Sequence, residues 1–204
     1  MNLSDEDVIK LRKKKMKEEY NDIKKGFYIN DKIVEFSKRV IFPDKMTIVL
    51  PNEFIVMPMN IAKMKYPAES RPQVIMTDRT GQVNITFSYF NRVITPKQIP
   101  GACEMLSKAI RNLNPANEFY EKGTDVIRDT VCSWFEYKGY AIDGQVYNML
   151  FITSIGGFFL QGMFNCRFQD MNEWRDAAIQ MRNSIIDLTI KEDNQECQNE
   201  GRVY

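Results

Sequence analysis

A stretch without a charged side chain, GQVYNMLFITSIGGFFLQGMFNC at positions 144–166, constrains the fold more than any other part of the sequence. It is long enough to cross a bilayer, for which about 20 apolar residues are needed. However, Gly156 and Gly157 lie at its middle, and several amide side chains are spread along it. Consecutive glycines suit a two-residue hairpin turn, and the flanking arms are rich in β-branched and aromatic residues. The pattern therefore predicts a long antiparallel hairpin inside a folded domain and not a membrane anchor.

Pairing the two arms outward from the glycines sorts their side chains onto two faces, because successive strand residues point to opposite sides. One face is almost wholly apolar. On it Phe151 lies opposite Gly162, so that an aromatic ring covers a residue without a side chain. The other face mixes apolar side chains with amides. This mixed face carries Asn148, Leu150, Ile152, Gln161, Met163 and Asn165.

The loop before this hairpin decides which residues of the preceding strand join each face. A three-residue loop ending in Gly144 is typical of a type I turn with a glycine bulge. In that register Ser133, Phe135, Tyr137 and Gly139 extend the apolar face beside Thr153, Phe151, Met149 and Tyr147. A two-residue Asp-Gly turn would instead place Glu136 and Lys138 on that face, so the bulged register is preferred. Trp134 then lies next to Ile152 and belongs to the mixed face.

Composition excludes several classes of function. The chain has no histidine, so Ser-His-Asp and Cys-His nucleophile systems and histidine-ligated zinc are ruled out. The cysteines are far apart and form no C-x-x-C pair, which favours isolated buried thiols. They are Cys103, Cys132, Cys166 and Cys197. No nucleotide-binding or hydrolase motif is present. Without these residues and motifs we expect no cofactor and no metal. The net charge of +1 gives no global attraction for nucleic acid, and we expect no nucleic-acid partner.

The N-terminal segment is charged throughout. Residues 5–25 are predicted to form a helix with Ser4 as its cap, Asp7 three residues on, and Gly26 as its stop. Its basic run is offset by acidic neighbours, so it is either a solvated arm or a docking arm for a partner. No apolar core of signal-peptide length is seen here, and we expect a cytoplasmic protein.

The rest of the chain alternates short strands with amphipathic helices. Strands are predicted at residues 38–42, 46–50, 73–77, 83–90, 118–128 and 130–140, and a small helix at 60–65. A longer helix begins at Thr95 with Gln98 completing a capping box, and a last helix begins at a second capping box of Asp170 and Glu173. The stripe of the last helix is Trp174, Ala178, Met181, Ile185 and Leu188.

These elements predict an α+β protein in which helices flank an antiparallel sheet. With 204 residues the chain suits one domain with appendages. We expect a charged helical arm at residues 1–26, a single sandwich domain at 27–190 and a disordered acidic tail at 191–204.

The order of elements resembles the PsbP-like superfamily, which also includes the import factor Mog and bacterial DcrB-like proteins. The segments that carry the resemblance are VLPNEF, TPKQIPGACEMLSKAI and the final run YNMLFITSIGGFFLQGMFNCRFQDMNEWRDAAIQMRNSI. The resemblance implies an α/β/α sandwich around an antiparallel sheet, in a family whose members mostly bind proteins. No motif of functional residues is available to transfer.

Three functions remain open. The first is a non-catalytic adaptor or chaperone that binds a protein through Trp134 and the mixed face, with the basic N-terminal helix as an additional contact. This requires that the mixed face is open; if a helix covers it, its amides must be satisfied internally. The second is a small-molecule carrier with a pocket between sheet and helix. The third, an enzyme, would depend on carboxylates such as Asp125, Asp129, Glu136 and Asp143. The sequence leaves the oligomeric state open.

Overall fold

The structure is a computed structural model that describes residues 4–128, 130–141 and 144–190. The helices in these ranges are α1 (Asp5–Glu19), α2 (Met59–Lys65), α3 (Ile99–Leu113) and α4 (Met171–Asn183). The strands are β1 (Asn21–Asp22), β2 (Gly26–Ile29), β3 (Lys32–Val34), β4 (Phe36–Phe42), β5 (Met46–Pro51), β6 (Ile55–Val56), β7 (Val74–Thr77), β8 (Asn84–Val93), β9 (Glu118–Ile127), β10 (Thr130–Ala141), β11 (Gly144–Ile155), β12 (Phe158–Arg167) and β13 (Ile186–Asp187). None of these helices has the length and hydropathy that a bilayer-crossing segment needs.

The strands form antiparallel sheets, as predicted. The largest has seven strands in the order β6-β7-β8-β12-β11-β10-β9. Two smaller sheets have the orders β13-β5-β4 and β1-β2-β3. The α+β class and the helix-flanked antiparallel sheet predicted from the sequence are confirmed. The predicted domain boundaries stay a prediction, and the acidic tail lies outside the described residues.

Strands β11 and β12 form the predicted hairpin. The pairs run from Ile155↔Phe158 at the turn to Val146↔Arg167, in the predicted register throughout. Gly156 and Gly157 have φ angles of +60° and +78°, which explains why glycines are needed at this turn.

The pairing of β10 with β11 differs from the predicted register by one residue. Ala141 pairs with Gly144, so Trp134 lies opposite Phe151 and Glu136 opposite Met149. A one-residue slip transfers every side chain to the other side of the sheet. The bulged register predicted for this loop, and the placement of Trp134 on the mixed face, are therefore wrong.

The observed register turns Glu136, which the predicted register kept off the apolar face, toward the core, where a charged partner meets it. Glu136 is buried, and both of its carboxylate oxygens accept a hydrogen bond from Nε of Arg175 at 3.1 Å. The acid can face the protein interior because α4 supplies this guanidinium. Apolar patterning within β10 alone could not reveal a partner that lies 39 residues further on.

We call the side of the large sheet that bears Phe151 the core face and the side that bears Leu150 the groove face. The core face packs against α4 and the β13-β5-β4 sheet in one hydrophobic cluster. This cluster includes Met46, Ile48, Leu50, Phe87, Phe151, Leu160, Phe164, Trp174, Ala178 and Met181. Helix α4 thus buries Trp174, Ala178 and Met181 of the predicted stripe. The helix ends at Asn183, so Ile185 and Leu188 lie beyond it, and Leu188 is exposed.

Helix α1 starts at its predicted cap. The Ser4 hydroxyl accepts a hydrogen bond from the Asp7 N–H at 3.3 Å, and the Asp7 carboxylate accepts one from the Ser4 N–H at 3.2 Å. The helix ends at Glu19, earlier than predicted, and Asn21 and Asp22 pair with β2 as strand β1 instead of continuing the helix.

The capping box predicted for the last helix does not form. A short 3-10 turn leads directly into α4, so Asp170 lacks the extended backbone of a cap and its carboxylate binds Arg167 Nε at 2.7 Å. The Glu173 carboxylate instead bonds to the side chain of Lys17 and the N–H of Asn30. Glu173 therefore ties α1 and the turn between β2 and β3 to α4.

Candidate functional site

Helix α3 covers only part of the groove face. Its entry is fixed by Gln98, whose side-chain oxygen accepts a hydrogen bond from the Thr95 N–H at 2.9 Å, as the predicted capping box requires. The helix packs over β10 and β11, where Leu150 and Ile152 are 2% and 0% exposed. These two members of the mixed face belong to the core beneath α3, and their side chains offer a partner little free surface.

The asparagine amides of the mixed face are bonded within the protein. Asn84, Asn165 and Asn148 are successive cross-strand neighbours on β8, β12 and β11. Asn165 accepts a hydrogen bond from Asn84 at 2.9 Å and donates one to the Tyr66 hydroxyl at 3.5 Å. Asn148 donates to the Val146 carbonyl at 3.2 Å. Because Asn148 and Asn165 are buried, this row is structural.

The open part of the groove face is a groove between α3 and strands β8 and β12, which we call the α3 groove. Its volume is about 930 Å³. Ile152 and Gln161 lie among its lining residues, whereas Met163 is half-buried nearby and receives a long contact from the Tyr137 hydroxyl at 3.9 Å from its sulfur. The full lining is Phe90, Asn91, Arg92, Val93, Ile94, Gln98, Gly101, Ala102, Met105, Leu106, Ala109, Ile152, Phe159 and Gln161.

The two flanks of α3 differ in charge, which explains where the groove forms. The flank toward β9 carries Glu104, which pairs with Lys122 at 2.9 Å, and Arg111, whose guanidinium lies 4.2 Å from the ring centre of Phe119. The flank toward the groove carries small or apolar residues at helical spacing: Gly101, Ala102, Met105 and Ala109. Small side chains leave space between the helix and the sheet, and the charged flank is held by β9.

The rim of the α3 groove is apolar and exposed. Phe90, Val93 and Met105 are 44%, 69% and 73% exposed. Phe90 also packs edge-on against Phe159, with ring centres 5.5 Å apart, so rim and floor are continuous. Among the described lining residues, Arg92 alone is charged. Exposed apolar side chains that join a groove are typical of a surface that binds another molecule.

Of the residues predicted to bind a partner, the structure brings Ile152 and Gln161 into the groove and leaves Met163 beside it. Sequence reasoning missed Phe90, Val93 and Met105. A signal for Met105 was present, because the residues of α3 that face the groove recur at helical spacing without a charge. Trp134 lies on the opposite face of the sheet, for the reason given above.

Asp125 and Glu136, two of the carboxylates considered for catalysis, are engaged in ion pairs on the core face. Asp125 accepts hydrogen bonds from Trp134 Nε1 at 2.8 Å and from Arg182 at 2.6 Å. The Arg182 guanidinium stacks 4.7 Å from the Trp134 ring, and burial lowers its pKa. Burial opposes the charge of Arg175, but the hydrogen bonds to Glu136 raise the pKa of Arg175 above its ordinary value.

These pairs place both acids away from the groove. Asp129 and Asp143 lie outside the described residues.

The described cysteines are free thiols inside the protein, in line with the sequence prediction. Cys103, Cys132 and Cys166 are buried. Burial raises the pKa of Cys103 to about 12 and that of Cys132 to about 12, so both stay protonated at neutral pH. Cys197 lies outside the described residues.

Helix α1 lies on the surface and has no buried residue. Two of its lysines are tied to the domain, since Lys13 pairs with Asp31 at 2.8 Å and Lys17 pairs with Glu173. The hydrogen bond with Lys13 lowers the pKa of Asp31. The basic run is thus partly neutralised and docked, which leaves its role in binding a prediction.

Comparison with known proteins identifies similar structures and no similar sequence among family models or curated proteins. No protein-family model matches the chain, and no curated protein matches it. The solution structure of cyanobacterial PsbP (CyanoP) from Synechocystis sp. PCC 6803 matches with a TM-score of 0.56 and 11% identity, over 78% of this chain and 95% of that one. LpqN of Mycobacterium tuberculosis, which is involved in cell envelope biogenesis, matches with a TM-score of 0.46 and 12% identity, over 78% of this chain and 94% of that one. The CyanoP similarity shows that this chain has the PsbP-like fold predicted from its sequence.

Proposed function

We propose that this protein is a non-catalytic protein-binding module that holds an apolar segment of its partner in the α3 groove. The observation that carries the proposal is the exposed apolar rim of Phe90, Val93 and Met105 beside a cleft whose described lining is uncharged apart from Arg92. A partner that covers large apolar side chains at the mouth of a cleft removes them from water, which lowers the free energy of the complex. The PsbP-like fold supports the proposal by analogy alone, through the resemblance to a family of protein binders.

The size of the rim indicates how the partner binds. Full burial of an exposed side chain of this size contributes about 1.5–3 kcal/mol, so each partly exposed rim side chain contributes less, and association costs about 4–15 kcal/mol. Contacts with the rim alone therefore give weak binding. We expect the partner to reach the groove floor at Phe159 and Gln161 as well.

The test is the substitution Met105→Glu in the full chain, which places a charge at the rim. Met105 is 73% exposed, so we expect the fold to be retained, and circular dichroism and thermal melting check this. Met64→Glu is the matched control, because Met64 is a 79% exposed methionine on another helix, α2. Each protein is used to capture partners from a lysate of its host. We expect a specific protein that is retained by the wild type and Met64→Glu and lost with Met105→Glu; equal retention by all three proteins would contradict the proposal.

The contribution of helix α1 is tested separately. Lys10 and Lys14 lie on its exposed surface. If the arm contacts an acidic part of the partner, the double substitution Lys10→Glu and Lys14→Glu weakens capture while Met105→Glu abolishes it. Unchanged capture assigns the whole interaction to the groove.

A second candidate function is the transport of an apolar small molecule. The observation in its favour is the groove volume of about 930 Å³, which falls in the size range of small-molecule sites. The single cation Arg92 suits a ligand with one anionic group. A dansyl-labelled fatty acid tests this, because its fluorescence rises in an apolar site. Saturable binding that Met105→Glu removes would favour the carrier, and no binding would favour the protein-binding module.

A further inference from the structure

The outer edge of β8 is unpaired where β8 borders the α3 groove. Strand β7 pairs with β8 from Thr77↔Asn84 to Val74↔Phe87, whereas β8 continues to Val93. Within the described part of the chain, no strand pairs with that edge of β8 beyond Phe87. The edge therefore presents backbone donors and acceptors beside an apolar cleft.

A side chain takes the place of a strand at the first step beyond β7. The Gln73 amide donates from Nε2 to the Tyr89 carbonyl at 2.8 Å, and its Oε1 accepts from the Tyr89 N–H at 3.1 Å. A residue of a neighbouring antiparallel strand would make the same two bonds. The bonds of Gln73 show that the N–H and C=O of Tyr89, at the start of this unpaired edge, point outward in the geometry that strand pairing requires.

A bulge directs the next residues of β8 toward the groove. Leu160 pairs with Tyr89, but the next pair along is Phe158 with Val93, so three residues of β8 face one residue of β12. Residues 90–94 all line the α3 groove. A bulge bends its strand and is often found next to binding sites. The backbone of β8 is therefore part of the groove wall.

We infer that the partner segment binds as an added β-strand along residues 90–93, with alternate apolar side chains in the α3 groove and an acidic residue against Arg92. This inference rests on the proposed function. A strand satisfies the free N–H and C=O groups of the edge, whereas a helix leaves them without protein partners. The acidic residue is required by charge complementarity, since Arg92 is the charged residue among the described groove-lining positions.

The experiment uses a library of random dodecapeptides displayed on phage. The library is selected on the full chain and counter-selected on Met105→Glu. We expect enriched peptides in which apolar residues alternate, with an acidic residue next to them. If no enriched peptide loses binding on Met105→Glu, the proposed function itself is wrong.

An N-methyl scan of one synthetic selected peptide then separates a strand from a helix. N-methylation removes one backbone donor and leaves the side chains in place. A strand on an edge bonds through alternate residues, so we expect affinity to fall about tenfold at every second position and little between them. A scan without this alternation overturns the strand inference, and the proposed function still stands if binding depends on Met105.

The role of Arg92 is tested by a double-mutant cycle. We expect Arg92→Gln to weaken the acidic peptide about fivefold to tenfold, and to have little effect on the same peptide with its acid replaced by the amide. Arg92 is exposed, so its replacement is expected to leave the fold intact. Equal losses with both peptides would overturn the assignment of an acidic residue to Arg92.

Discussion

The two faces of the seven-stranded sheet differ in how completely other elements cover them. On the core face, Phe151 and Leu160 are 0% exposed beneath α4 and the second sheet. On the groove face, α3 covers β10 and β11, while Phe159 stays half-buried and Phe90 is 44% exposed. Both faces contain large apolar side chains. The binding surface is therefore set by where the helices lie and not by the hydrophobicity of the strands.

The buried polar side chains of the two faces also differ in the partners that satisfy them. The core face buries Glu136 and Arg182, and each is joined to an oppositely charged partner. Burial of an unpaired charge is costly, so complete coverage demands such pairs. The groove face instead buries the amides of Asn84 and Asn165, which bond to each other across β8 and β12, and its open part leaves Gln161 at the groove floor.

The largest expected effect that separates the two faces comes from removing aromatic rings. Phe151→Ala removes a fully buried ring from the core face and is expected to lower the free energy of unfolding by about 3–5 kcal/mol. Phe159→Ala removes a half-buried ring from the groove floor and should cost less than about 2 kcal/mol. Urea unfolding of both variants measures the difference. Equal losses would show that the groove face is as tightly packed as the core face.

A second effect on the core face comes from adding one methyl group. A Cβ at Gly162 would lie 2.0 Å from the Phe151 ring, which is buried and has no space to move into. We expect Gly162→Ala to destabilise the protein by about 3 kcal/mol, near the upper end of overpacking effects. The double variant Gly162→Ala with Phe151→Leu should recover part of the loss. If the double variant recovers no stability, the contact with the Phe151 ring is not the cause of the destabilisation by Gly162→Ala.

The contact of Phe151 with Gly162 also shows how much of the fold could be predicted from the sequence. The glycine turn fixed the register of β11 and β12, because turn geometry and face alternation both lie within one short segment. The register of β10 could not be predicted, since it depends on Arg175 in α4, a partner distant in the sequence.

The candidate site was predicted only in part. Gln161 and Ile152 line the α3 groove, but Asn148 and Asn165 are bonded internally. Which strand residues stay open depends on where α3 packs. The periodicity of a sequence predicts which side of a helix is buried, but it does not predict which strands that side covers. Phe90 lies beyond the last residue of β8 that pairs with β7, and the point where β7 ends likewise depends on the assembled sheet.

A third prediction concerns the part of the groove face beneath α3 and is visible only in alkaline solution. Burial raises the pKa of Tyr137 to about 12, above its ordinary value of 10.0. The unfolded chain then loses this proton first as the pH rises, so the stability that Tyr137 contributes is present below pH 10 and is lost between about pH 10 and pH 12. At about pH 11 the loss amounts to about 1.4 kcal/mol.

Comparison with Tyr137→Phe isolates this contribution, because phenylalanine has no proton to lose. We expect wild type and variant to differ by a constant amount up to about pH 9, and the variant to gain relative to wild type above that pH. The readout is urea unfolding at about pH 8 and about pH 11. A difference that stays constant across this range would mean that solvent reaches the hydroxyl and α3 does not close over it.

The smallest expected effect is at the groove itself. Gly101 lies on the groove side of α3, and a Cβ added there meets no atom within 4 Å. Gly101→Ala should therefore stabilise the protein by about 0.5–1 kcal/mol, since alanine loses less backbone freedom in a helix than glycine does. The sign is opposite to that expected for Gly162→Ala, although the chemical change is the same. Thermal melting of the two variants side by side checks this, and destabilisation by Gly101→Ala would mean that the groove has no free space for a partner to fill.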